Sequence, residues 1–323
     1  SDDFPVLLGV GGSAFTPATL DVTVESEPRG PWGDELAVDF GSTGFYHYDG
    51  TSFVKLAKQD ALAVYRGAGY IIADLGSPYG HYKFWYDGAV WQSEQLTNET
   101  VENVMPWAGG VAFDFGSAFG LFNYDGSGFT KINNEDATKL LAWNGNLVVE
   151  FGPLGIWQWD GATWFRLVSV PCDRMWGWND VLAVDFAPYG LYFFNQNWSK
   201  LSTLHPEDVV SWTGGLAIDF GSGGFGNYDG TNYTQWSGLD VGPMVAWEDG
   251  LVTDFGPGLG LYHFDGTWNK IAPQNPTMMV PWSGGLAACL IFNVGLSNYQ
   301  AGIGWTKLSN SEPQAMTAWE RQL

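Results

Sequence analysis

The chain repeats itself, and that repeat constrains its fold more than any other feature. Leu36–Gly41 reads LAVDFG, and the string returns as IIADLG, VAFDFG, LVVEFG, LAVDFA, LAIDFG and LVTDFG. The acidic residue falls at Asp39, Asp74, Asp114, Glu150, Asp185, Asp219 and Asp254, and an eighth copy carries Cys289 there. Successive markers are 35, 40, 36, 35, 34, 35 and 35 residues apart. A unit this short cannot bury its own apolar face. It must stack on its neighbours.

Seven residues before the marker stands Trp32, Trp107, Trp143, Trp178, Trp212, Trp247 or Trp282, with Tyr65 in that role, after a two-residue insertion, in the second copy. About ten residues after it comes an aromatic–Asp–Gly turn, as in Tyr48-Asp49-Gly50 and Tyr228-Asp229-Gly230, which the fifth and eighth copies degrade to Asn195-Gln196 and Gln300-Ala301. A further aromatic closes each unit, among them Phe53, Trp91, Phe129 and Trp268. In the seventh unit this pattern predicts four strands: Met244–Trp247, Leu251–Phe255, Leu261–Phe264 and Trp268–Ile271. Asp-Gly between two of them is a hairpin signal. Four antiparallel strands per unit, repeated eight times, predict an all-β, eight-bladed β-propeller.

The first unit lacks an apolar first strand, because Pro28 and Pro31 flank Arg29-Gly30 before Trp32. The chain ends in Ala315–Trp319, a near copy of the seventh unit's first strand. This C-terminal strand is predicted to enter the first blade and close the ring, which removes an unpaired edge. Residues 31–323 then form the propeller. Residues 1–30 form an N-terminal extension in which Leu20–Glu25 alternates like a strand.

These motifs resemble bacterial propeller repeats of the form W-x-x-G-L-A-V-D-F-G … Y-D-G-x-x-W. The turn is also loosely similar to the Asp-box hairpin of carbohydrate-active propellers, although here Asp and Gly are adjacent. The resemblance spans roughly residues 31–319 and implies a fold. It assigns no functional residue, since propellers host unrelated activities.

Charge narrows the partners. With 35 acidic and 13 basic residues the net charge is −22. That argues against nucleic acid and against an anionic membrane surface. The uncharged stretch Met278–Leu296 contains Pro281, Gly284 and Gly285 and fits the repeat, so no membrane insertion is expected. Cys172 and Cys289 fall in opposite units and are expected to be free thiols. No leader-like segment heads the sequence, and an extracellular or cell-surface protein with its leader removed is expected.

The seven acids of the column admit two roles. They are structural acceptors for turn amides or for a neighbouring blade's Trp, or a ring of carboxylates holding Ca²⁺. No other cofactor is expected. The loops that share their face are acidic, with Glu99, Asp136, Glu207 and Asp208 among them. Tyr79, Tyr189 and Trp236 lie outside the repeating aromatic columns near that face and are candidate ligand contacts. Six cations (Lys55, Lys131, Arg166, Lys200, Lys270 and Lys307) follow the last aromatic by two residues and are expected to protect the outer edge. His47 and His263 share a slot with Asn123, Gln158, Asn227 and Asn298, which marks a polar strand position and not a ligand pair.

No catalytic constellation is visible. Three functions stay open. The first is a non-enzymatic binding or adhesion module with a glycan or surface protein on the acidic face. The second is a structural subunit self-assembling through residues 1–30 by strand addition. The third is a polysaccharide lyase or hydrolase.

Overall fold

A computed structural model describes residues 34–291 and 293–320. The N-terminal extension and Trp32 lie outside the described residues. Eight four-stranded antiparallel sheets make an eight-bladed propeller, with strands named A to D from the axis outward. Blade 1 combines Glu35–Asp39, Phe45–Tyr48 and Phe53–Ala57 with Ala315–Trp319 as its strand A. Blade 2 spans Ala63–Thr97, blade 3 Asn103–Asn133 and blade 4 Lys139–Val168. Blade 5 spans Arg174–Ser202, blade 6 Asp208–Ser237, blade 7 Met244–Ala272 and blade 8 Pro276–Ser309. No helix among the described residues is long and apolar enough to cross a membrane.

The ring closes as the sequence implies. Trp319 pairs with Glu35, and Ala315 pairs with Asp39. The same register pairs Trp212 with Gly215 in blade 6, so Trp319 takes the strand A Trp place in blade 1. Strand Ala315–Trp319 also lies between strands A of blades 8 and 2.

Burial follows the layering. Strand B is covered by a neighbouring blade on both faces, so its run is apolar without alternation: Leu36, Ala37 and Val38 are fully buried, as are Leu216, Ala217 and Ile218. Strand D faces solvent, and its cations lie across aromatic rings of strand C. Lys55 Nζ stands 5.0 Å from the Tyr46 ring centre, Lys200 Nζ 5.6 Å from Tyr192 and Lys270 Nζ 5.8 Å from Tyr262. The spacing of these cations is therefore also a cross-strand cation–π ladder.

The aromatic–Asp–Gly turn has a local cause. Asp229 Oδ1 accepts the N–H groups of Thr231 and Asn232, each at 2.8 Å, while Gly230 takes the left-handed conformation (φ 99°) that this tight turn needs. These bonds hold the Asp229 carboxyl below the usual carboxylate range.

The polar slot in strand C braces the inner Trp. Trp107, Trp212 and Trp282 each donate Nε1–H to Asn123, Asn227 and Asn298 at 2.8 Å. Each Asn returns its amide to the A–B turn carbonyl of Gly109, Gly214 or Gly284. Blade 2 departs from the expected pattern. Gly67 bonds Tyr70 across its A–B turn, in the place where Trp107 faces Gly110, while Tyr65 pairs with Ile72 further along. So Gly67, not Tyr65, holds the Trp position. The two extra residues lie in the C–D hairpin, where strand C runs on to Tyr86.

Candidate functional site

The acidic column sits where strand B ends, between the B–C turn of its own blade and the loop that enters the next blade. Asp39, Asp74, Asp114, Asp219 and Asp254 accept the turn amide two residues on. Asp39, Asp185 and Asp254 bond the loop that enters the next blade. Asp39 Oδ2 accepts Gly41 N–H at 2.8 Å, and its Oδ1 accepts Ala61 N–H at 3.0 Å. Asp219 Oδ1 accepts Gly221 N–H at 3.0 Å, and Asp254 takes Gly256 N–H at 3.0 Å together with both contacts from the Asn275 amide. Asp74 accepts Gly76 N–H at 2.9 Å, and Glu150 faces Lys139 at 3.4 Å. No Trp bonds the column among the described residues; the indoles of Trp107, Trp212 and Trp282 go to the strand C slot instead.

Three blades add further ligating groups. Glu102, Asp173 and Glu207 stand twelve residues before Asp114, Asp185 and Asp219, and their N–H groups donate to those residues' carbonyls. That bond brings each side chain over the column. A Cβ on Gly221 would collide with the Glu207 carboxylate, so glycine in the B–C turn is what lets this acid approach. The next loop supplies a third group: Asp136, His205 or Asp240. The resulting triads are Glu102–Asp114–Asp136, Asp173–Asp185–His205 and Glu207–Asp219–Asp240, each with its ligand atoms within 4.8 Å of one another. In each, the column acid is buried and the other two side chains reach solvent.

This arrangement strains the charged form. Burial, then repulsion from Asp240 and Glu207, raises the Asp219 carboxyl to about 6. Burial raises Asp39 to about 6 as well, with Asp60 sharing a hydrogen bond. Asp185 is also raised by burial, but His205 Nδ1, 2.7 Å away, opposes the shift. Two triads offer only oxygen, which suits hard cations such as Ca²⁺; the imidazole of the third suits a zinc-class ion. Blade 4 has no such triad, because Lys139 supplies its positive charge beside Glu150.

The other candidates scatter over the same face. Asp136 and Glu207 join triads, whereas Asp208 opens strand A of blade 6 and accepts Val209 N–H. Glu99 is exposed in the loop before blade 3. Tyr79 is 41% exposed in a B–C turn. Tyr189 packs against the core between blades 4 and 5, and Trp236 lies in strand D against Trp212, Phe225, Phe264 and Trp268. The triads escaped sequence reasoning. Their signal was present: an acid twelve residues before the marker and another ligand 20 to 22 after it.

No family model and no curated protein matches the sequence. Solved structures do. Apo AztD from Citrobacter koseri is similar with a TM-score of 0.61 and 14% identity, covering 88% of this chain and 97% of that one. A second crystal structure of Citrobacter koseri AztD gives 0.60 at 14% identity, with 88% and 97% covered. Human WBSCR16 gives 0.49 at 9% identity, with 77% and 97% covered. At such identities the likeness to AztD is one of fold: the chain is a β-propeller.

Proposed function

We propose that the protein is a non-enzymatic binding module whose loop-rich acidic face holds divalent cations and docks a surface protein through them. The observation that carries this is the triad: one buried carboxylate meets two solvent-reachable ligand groups in three separate blades. Three protein ligands leave a Ca²⁺ shell of six to eight oxygens incomplete. The open positions take water or oxygen atoms of the partner. A protein fits this face better than a glycan, because Tyr189 and Trp236 spend their rings on packing and leave few free platforms. Sites this open bind Ca²⁺ at roughly 10⁻⁴–10⁻³ M, the range of extracellular modules, which supports a secreted or cell-surface setting.

The test is calorimetric titration of chelator-stripped protein with Ca²⁺ and with Zn²⁺. The reading expects weak Ca²⁺ binding at the two all-oxygen triads and tighter Zn²⁺ binding at the triad with His205. Asp219→Asn should remove one Ca²⁺ site and leave Zn²⁺ binding in place. No binding of either ion at millimolar concentration would overturn it.

A further inference from the structure

Blade 2 breaks the repeat at three positions, and the breaks meet in one place. Gly67 leaves the strand A Trp position empty of an indole. Lys83 pairs with Ile72, and so occupies the slot that holds Asn123, Asn227 and Asn298 in other blades. The lengthened C–D hairpin adds Trp85 beside them. Where a neighbouring blade would seat a braced Trp over the next Asp–Gly turn, blade 2 lays the smaller Tyr70 ring beside Gly126 and leaves a cleft of about 560 Å³ toward blade 3. It lies on the A–B and C–D turn side, opposite the acidic column. Its walls are Tyr70, Lys83 and Trp85 from blade 2, with the Ala108–Gly110 and Asp125–Gly126 turns from blade 3.

The cleft has its own polar groups. Lys83 Nζ donates to Gly126 O at 2.7 Å and to Tyr124 OH at 3.3 Å, which uses two of its three N–H groups. Its ammonium stands 5.0 Å from the Tyr70 and Trp85 ring centres, and it has no ion pair among the described residues. Asp125 spends Oδ1 on Ser127 and Gly128, and among the described residues nothing donates to its Oδ2. The cleft therefore offers the exposed part of the Trp85 ring, which packs against the Tyr70 cluster and carries Lys83 over it, with one donor that has a spare N–H and one acceptor oxygen. Backbone turns with little side chain line the rest, and the volume is that of a small-molecule site.

We infer that this cleft is a second binding site, for one ring of a neutral pyranose glycan. A sugar ring has an apolar C–H face for Trp85 and hydroxyls that both donate and accept, which matches Asp125 and Lys83 together. A uronic acid fits less well, because Asp125 and a chain of net charge −22 oppose a second carboxylate. This site rests on neither the triads nor their cations.

The experiment is a glycan array of neutral and uronic-acid oligosaccharides in EDTA. Calorimetry on the best neutral hit then follows for the wild-type protein, Trp85→Ala and Asp125→Asn. In Asp125→Asn the amide oxygen still accepts from Ser127 and Gly128, so the hairpin persists while the second acceptor becomes a donor. The inference expects neutral pyranose binding without metal, weakened at least tenfold in both variants while their denaturation midpoints stay near wild type. A blank array, binding confined to uronic acids, or neutral binding that survives both substitutions would overturn it. Because EDTA is present throughout, failure here leaves the cation account of the other face standing.

Discussion

Replacing Asp219 with Asn isolates the cost of holding a charge in a triad. The carboxyl is 2% exposed, and its pKa rises from the ordinary 3.8 to about 6. A rise of about two pKa units corresponds to ~3 kcal/mol, at 1.36 kcal/mol per unit. Because the folded protein holds this proton more tightly than the unfolded chain, the side chain's favourable contribution is complete below pH 3.8 and disappears as pH rises through about 6. At pH 7 the ionised Asp219 thus opposes folding relative to a neutral group of the same shape. Asp219→Asn keeps an oxygen for Gly221 N–H and removes the charge, while its NH₂ then faces the Val241 N–H that the carboxylate also accepts, which offsets part of the gain. In EDTA it should be more stable than wild type at pH 7 by up to ~3 kcal/mol, and the difference should shrink to near zero at pH 4. Urea denaturation at several pH values, extrapolated to water, reads this directly. Added Ca²⁺ should narrow the difference, since only the wild type keeps the Asp219 site: at about 10 mM a Kd of 10⁻⁴–10⁻³ M is worth ~1.4–2.7 kcal/mol. An Asp219→Asn protein less stable than wild type at pH 7 in EDTA, or a difference that does not change with pH, would refute the reasoning.

Two further outcomes test the frame. Trp319 is fully buried beside His47 and Trp91, so Trp319→Ala should cost ~3–5 kcal/mol and Trp319→Phe clearly less. Equal stability of all three proteins by urea denaturation would remove the clasp from the account. Burial pushes the Cys172 thiol up to about 12 and the Cys289 thiol up to about 11. Both should resist alkylation at pH 8 in the native protein and react promptly once unfolded, as mass spectrometry of the labelled chain would show.

The sequence exposes the architecture because every blade repeats the same physical demands. Strand B must be apolar on both faces, six of the eight hairpins use Asp then Gly, and the closing strand must look like the strand it replaces. Ala315–Trp319 was legible for that last reason. Other features hide because they lie across units. The Trp–Asn brace joins strand A to strand C, and sequence alone shows only a polar slot. The triads draw on two loops and the end of a strand, so their members never stand together in the chain. Blade 2 misleads for another reason. Tyr65 looks like the missing Trp because it is aromatic, but the register gives that place to Gly67, which keeps the seven-residue spacing to Asp74 without the side chain.

The most direct measurement is an anomalous-difference map from crystals soaked in Mn²⁺ as a stand-in for Ca²⁺, and separately in Zn²⁺. The account expects Mn²⁺ peaks beside Asp114 and Asp219 and a Zn²⁺ peak between Asp185 and His205, all on the loop-rich face. Peaks only at lattice contacts, or none at the triads, would contradict it.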